Sequence, residues 1–277
     1  MIRYLERNPD DIIQCVQVEI DNQEKQHLEQ TILSGKYKGE YEGIARCEDN
    51  KLIYKTEVLV PKVRRPNRVD LLLLLGNPAT HSVQSGMFFA YEIRKGRQGV
   101  PTWTEHRFWR ALRHTDCEVL RFRYELPNPK KSNIDRINAY KRKHLLDSDY
   151  KSRFNIFILP YFSFPTPSSA GVNAIRSIVG GTIFARMRKE EFRRFKDTVI
   201  PNDLKDIICF NKTVAEEIPG NANGEKRSSR GQLVYELHDD LKGVRMYYAG
   251  PTRRMHTEEG KRTLAAITSA ILSQREG

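Results

Sequence analysis

The sequence is poor in the residues that build metal centres and disulfide frameworks. It has four cysteines, Cys15, Cys47, Cys117 and Cys209, far apart and with no CxxC pair. That spacing fits neither a zinc site nor an iron–sulfur cluster, and it is not a secreted disulfide scaffold. Scattered thiols suggest a reducing, cytoplasmic setting. None of the seven histidines stands in an HxxxH or HExxH pair, so no metal motif is visible. Long apolar runs are missing too. The longest, Val69 to Leu75, is broken by Asp70 and ends at Gly76, far short of the roughly 20 residues that span a bilayer. The first residues carry Glu6, Asp10 and Asp11 and no apolar core, so no signal peptide is expected.

What is plentiful is positive charge, and it is unevenly placed. The 277 residues carry a formal net charge of +12. Residues 1–60 hold 8 Lys and Arg against 12 Asp and Glu, a net of −4, while residues 61–277 hold 39 against 23, a net of +16. A local excess of that size suggests a polyanionic partner such as nucleic acid, with an anionic membrane as the rival and a solvated basic surface as the plain alternative.

Along the chain, Pro9 to Leu33 reads as a helix, with Ile12, Ile13, Val16, Ile20, Leu28, Ile32 and Leu33 roughly on one stripe and Gly35 as a stop. Tyr41 to Val60 reads as one or two strands. The basic, proline-punctuated Pro61 to Asn67 then marks a boundary, dividing an N-terminal α+β extension (1–66) from a main domain (67–277). In the main domain, strands at Val69–Leu75, Asn155–Leu159, Asp206–Phe210 and Val244–Ala249 alternate with helices at Phe108–Arg113, Glu190–Lys196, Lys212–Ile218 and Glu258–Ser273. This predicts an α/β fold, a three-layer α/β/α sandwich around a mainly parallel four-stranded sheet. Three stretches read as insertions or exposed loops: the basic Pro127 to Arg153, Gly220 to Gly231, and Arg94 to Pro101.

Ligands of parallel α/β sheets bind at the carboxyl ends of strands. Four loops therefore draw attention: Gly76–Gly86, Pro160–Gly171, Asn211 and Gly250–His256. The first opens with the turn dipeptide Asn77-Pro78 and continues with Thr80, His81, Ser82 and Ser85. Gly86 and the aromatic-rich Met87-Phe88-Phe89, with Tyr91, follow. Hydroxyls and backbone N–H groups can hold phosphate, and an aromatic face can stack a base.

Here the sequence resembles the uracil-DNA glycosylase superfamily, most nearly its mismatch-specific uracil/thymine branch. The superfamily carries Gly-x-[Asp/Asn]-Pro at the end of its first strand, matched by Gly76-Asn77-Pro78. A G-x-x-F-A segment is matched at Gly86 to Ala90, and a helix-heading Phe-Trp at Phe108-Trp109. Asp206 to Ala215 is similar to the third strand and its helix, and Gly250 to Met255 sits where the second motif, His/Asn-Pro-Ser-x-Leu, belongs. The resemblance covers about residues 68–275 and leaves the extension outside it.

The resemblance implies a cytoplasmic, monomeric, monofunctional hydrolase. It would flip a pyrimidine out of DNA and cleave its N-glycosidic bond without metal, iron–sulfur cluster or other cofactor, and without membrane contact. Asn77 would orient the attacking water through its side-chain carbonyl. Pro78, Phe89, Tyr91, Tyr161 and Gly250 would surround the base, with Phe89 stacking on it; Met87 reads equally as core. His81, Ser82, Ser85 and Thr252 would meet phosphate, with His81 alternatively assisting the leaving group, and Arg253, Arg254 and Met255 would intercalate and bind the backbone. Gly250 stands where relatives have a base-reading His or Asn, and no Asn is clear in Leu159 to Pro167. Lost polar readout and bulk would enlarge the pocket towards a bulky modified pyrimidine, such as a modified cytosine of phage DNA met in anti-phage defence. The alternatives are a uracil/thymine mismatch repair enzyme and a catalytically silent nucleic-acid-binding module. A nuclease would need clustered carboxylates, and no D…ExK-type arrangement is evident.

Overall fold

A computed structural model describes residues 1–95, 101–112, 130–167, 171–229 and 232–275. The N-terminal part is an antiparallel sheet of four strands, β1 (Ile2–Tyr4), β2 (Ile13–Glu19), β3 (Ala45–Glu48) and β4 (Lys51–Glu57), in the order β1-β2-β4-β3. Three short helical pieces lie between β2 and β3: α1 (Asn22–Leu28), a π-helical turn (Glu29–Leu33) and α2 (Lys38–Tyr41). The long helix expected over Pro9–Leu33 is thus a strand followed by a helix. Val16, Val18 and Ile20 are buried at two-residue spacing between Gln17 and Glu19, and β-branched side chains at that period favour a strand. Asp21 then starts α1, its carboxylate accepting from Glu24 N while Glu24 reciprocates at Asp21 N.

The second sheet has six strands, in the order β10-β11-β12-β9-β5-β8. They are β5 (Val69–Leu75), β8 (Phe154–Pro160), β9 (Asp206–Cys209), β10 (Glu225–Ser229), β11 (Gln232–Glu236) and β12 (Arg245–Tyr248). The strands β12, β9, β5 and β8 run parallel and correspond to the four expected ones. The sheet is nevertheless mixed and not four-stranded, because the hairpin β10–β11 adds antiparallel to β12. Its outer strand came from the stretch Gly220–Gly231, read as loop; a polar edge strand lacks the apolar signal of a buried one. The remaining elements are α3 (Thr80–Ser85), a hairpin of β6 (Glu92–Lys95) and β7 (Pro101–Thr104), α4 (Arg107–Leu112), α5 (Lys131–Leu146), α6 (Val172–Val179), α7 (Gly181–Val199), α8 (Lys212–Asn221) and α9 (Glu258–Ser273). Arg94–Pro101 is therefore strand at both ends, with 96–100 outside the described residues, as is Arg113 beyond α4.

The basic stretch Pro127–Arg153 is not an exposed loop: most of it is α5. Ile134, Ile137, Asn138, Lys141 and Leu145 recur at helical spacing and are buried. The Lys141 ammonium lies 2.6 Å from a Glu105 carboxylate oxygen and 4.4 Å from the centre of the Tyr91 ring. Pairing with a carboxylate is what lets a lysine be buried at all.

Helices cover both faces of the six-stranded sheet. Along β5, Leu72 and Leu74 join one core with α6, α7 and α8, while Leu71, Leu73 and Leu75 join the other with α4 and α9. Leu71 to Leu74 are fully buried, each contributing roughly 1.5–3 kcal/mol of transfer free energy. The N-terminal sheet packs into the first of these cores, where Val16, Leu52 and Tyr54 sit with Leu72, Phe157 and Ile207. It also joins the larger sheet directly. Leu59 N donates to Ile158 O (2.8 Å) and Ile158 N to Leu59 O (3.1 Å), on the free edge of β8. Among the described residues no helix is long and apolar enough to cross a membrane.

Because the two sheets share a core, a chain cut to residues 61–277 is expected to lose fixed packing, with near-UV dichroism reduced and a hydrophobic dye bound. A native near-UV spectrum and a cooperative urea transition for that fragment would show that it folds without the extension.

Candidate active site

The site starts at the carboxyl end of β5. There the chain passes so close to Asn211 that a Cβ on Gly76 would collide with the Asn211 side-chain nitrogen; only glycine fits. Asn211 is itself fixed, its side-chain oxygen capping α8 by accepting from Val214 N at 3.1 Å.

Asn77 follows, 8% exposed. Its amide nitrogen donates to Pro78 O (3.0 Å) and to Thr166 Oγ1 (2.7 Å). A proline carbonyl can only accept, so this pairing fixes which end of the amide is nitrogen. The carbonyl oxygen Oδ1 is left without a protein partner among the described residues.

Thr166 is positioned by the loop after β8. Its N donates to Pro78 O (3.0 Å) and its carbonyl accepts from Thr80 N (3.2 Å), so the two strand-end loops pair side by side. The same loop is anchored from beneath. Arg194 donates to the carbonyls of Pro160 and Tyr161, and Glu191 accepts from Ser163 N (2.6 Å) and Oγ (2.5 Å). From the N-terminal part, the Tyr54 hydroxyl meets Ser163 Oγ (2.6 Å) and the Tyr41 hydroxyl donates to Pro165 O (2.9 Å).

Asn77 opens into a cleft of about 770 Å³. One wall is aromatic, with Phe88, Phe89, His106 and Phe210. Phe89, held at φ +48°, stacks on His106 (centroids 4.7 Å apart, planes at 24°) and lies tilted by 32° against Phe108 (4.2 Å). The rim carries His81, Ser82, Arg107, Thr252 and Arg253. Neither arginine makes an ion pair among the described residues, so both charges are available to an anion.

The cleft also holds a group that sequence reasoning missed. Glu57, at the end of β4, lines it while being 1% exposed. It makes no hydrogen bond or ion pair among the described residues, and its Oε1 is fully buried. Burial alone pushes its carboxyl well above the usual glutamate range. An acid next to the apolar Val58-Leu59-Val60 was the only trace of it in the sequence.

Of the residues expected from sequence, the structure brings together Asn77, Pro78, His81, Ser82, Phe89, Thr252 and Arg253. The others lie elsewhere. Tyr91 is buried beneath Lys141, with its N bonded to Asn138 Oδ1. Tyr161 is turned to the opposite core and donates to Glu217 at 3.1 Å. Met255 is 1% exposed within the second core, and so is Met87, fully buried; a packed Met255 is not free to intercalate. Gly250 has φ +85°, and a Cβ there would face the Met255 methyl at 3.8 Å. Ser85 and the exposed Arg254 are not part of the cleft lining. Among the described residues no three His, Cys, Asp or Glu gather as a metal would need.

A buried acid whose pKa is raised by folding takes stability away as pH rises. Above the ordinary glutamate range the unfolded chain ionises Glu57 and the folded chain does not, so the unfolded state holds fewer protons and gains. Urea unfolding of Glu57→Gln is therefore expected to show a stability advantage over wild type that grows as pH rises above the ordinary glutamate range. Any other titration common to both proteins drops out of the comparison. A pH-independent difference would mean that Glu57 is ionised in the fold.

Comparison with known proteins supplies no family: no protein-family model matches the chain, and no curated protein matches it.

Proposed function

We propose that this chain is a DNA glycosylase that receives a flipped pyrimidine nucleotide in the Asn77 cleft and hydrolyses its N-glycosidic bond. The observation that carries the reading is the Asn77 amide, clamped through its nitrogen so that its carbonyl is the end left for the cleft. Around it stand the features such a reaction uses. An aromatic wall takes a base face, and Arg107 and Arg253, without an ion pair among the described residues, take backbone phosphates together with Thr252. The resemblance of Gly76-Asn77-Pro78 and the later segments to the uracil-DNA glycosylase superfamily points the same way.

The chemistry follows from what an amide can do. The C1′–N1 bond breaks with its electron pair passing to the base, and C1′ gains oxocarbenium character. Water held at Asn77 Oδ1 adds to C1′ and releases a proton to solvent through the open cleft. An amide is too weak a base to take that proton, so Asn77 positions the water. This suits a base that leaves readily as an anion. The cleft volume of about 770 Å³ lies in the upper part of the roughly 300–1,000 Å³ range of small-molecule sites. It has room for a substituted base, which keeps a bulky modified pyrimidine, and with it anti-phage defence, as the favoured substrate and role.

Duplex oligonucleotides carrying uracil, hydroxymethylcytosine or glucosylated hydroxymethylcytosine separate the outcomes. Strand breaks appearing only after alkali are expected. Asn77→Ala should lower kcat/KM by about 100-fold through lost positioning. Breaks before alkali would indicate a nuclease, binding without release a silent module, and full activity of Asn77→Ala would remove that residue from the reaction.

A further inference from the structure

We infer that Glu57, delivered from the N-terminal sheet, is the group that reads the hydrogen-bonding edge of the bound heterocycle, a base presenting one donor and one acceptor side by side. The inference rests on the glycosylase reading for the identity of the ligand, not for the existence of the subsite. Three observations carry it. Glu57 lines the same cleft as Asn77 and is more deeply buried, at 1% against 8% exposure. Its carboxyl has no partner among the described residues, and its Oε1 is an orphaned buried atom. Buried polar groups are almost always paired, so an orphaned carboxyl on a residue that lines a cleft is a candidate to find its partner in the ligand. Third, neither Gly250 nor Tyr161, both expected around the base from the sequence, is part of the cleft lining. Gly250 has no side chain and faces Met255, and Tyr161 points to the opposite core.

The protonation state decides what Glu57 can recognise. Burial raises the carboxyl well above the usual glutamate range and so favours its protonated form, which offers one O–H donor and one carbonyl acceptor. Cytosine-type edges meet it with N3 as acceptor and the 4-amino group as donor. Uracil-type edges meet it with O4 as acceptor and N3–H as donor. The other ionisable groups lining the cleft, His81, His106, Arg107 and Arg253, are cationic or neutral; none supplies such a pair with its oxygen acceptor. The acidic extension thus contributes a wall of the pocket as well as packing.

Two measurements on the full-length protein test this. The first is kcat/KM on modified duplex for wild type, Glu57→Ala and Glu57→Gln, each confirmed folded by near-UV dichroism. Alanine, which leaves the base edge unpaired, should cost about 100-fold, and glutamine, a neutral donor–acceptor isostere, should restore activity to within about ten-fold of wild type. Wild-type activity in Glu57→Ala overturns the inference. So does Glu57→Gln falling as low as Glu57→Ala, which would mark proton transfer instead of recognition. The second is ligand-observed NMR with free cytosine and free uracil as probes, which needs no turnover. Binding by wild type and Glu57→Gln but not Glu57→Ala supports the subsite, and the two probes tell which edge is preferred. Glu57-dependent binding without any cleavage would keep the subsite and remove the glycosylase reading. Cleavage with both readouts indifferent to Glu57 would do the reverse.

Discussion

The candidate site depends on one clamp: the Asn77 amide nitrogen held between Pro78 O and Thr166 Oγ1. Two strand-end loops must pair for it to exist, and each is fixed by a different part of the fold. The β5 loop is pressed against Asn211 at Gly76. The β8 loop is held by the buried Glu191–Arg194 pair, 2.9 Å apart, and from the N-terminal part by Tyr41 of α2 and Tyr54 of β4. A buried charge pair is weak evidence for stability, since desolvation offsets much of its attraction. Here it satisfies backbone and hydroxyl groups of a loop that would otherwise be free to move, and its effect is placement.

That arrangement gives the extension a structural meaning. Residues 1–60 carry a net negative charge and residues 61–277 a net positive one. Inside the cleft, Arg107 and Arg253 stand at the rim and Glu57, from the extension, lies deep. Cations at the rim suit a phosphate backbone. A buried acid whose protonated form is favoured by desolvation suits the uncharged edge of a base, which has to leave water to enter and needs its hydrogen bonds replaced. One cleft thus offers separate chemistry for the two ends of a nucleotide.

Much of the fold was legible because buried parallel strands are continuous apolar runs: Val69–Leu75, Asn155–Leu159 and the closing helix Glu258–Ser273 stand where the pattern puts them. Legibility failed where one pattern hid another. Ile12, Val16 and Ile20 satisfy a helical stripe as well as part of the strand alternation, and only tertiary pairing with β4 decides for β2. The polar residues of β10 and the lysines of α5 hid ordered elements behind loop-like composition. For the site, the strand-end rule located Asn77, Pro78, His81, Ser82, Phe89, Thr252 and Arg253. It could not separate cleft-facing from core-facing neighbours, so Tyr91 and Tyr161, expected around the base, and Met255, expected to intercalate into DNA, lie in the packing. Glu57 was invisible because it enters from a different sheet, where an acid in a strand looks like an ordinary solvent-facing position.

The central claim is that water replaces a base at C1′ in this cleft. Mass spectrometry of both products from duplex DNA bearing a modified pyrimidine tests it directly. The expected result is an intact DNA strand that has exchanged its base for a hydroxyl, together with the free base in equal amount. Release of a nucleoside or nucleotide, or a DNA strand of unchanged mass with every pyrimidine tried, would contradict it.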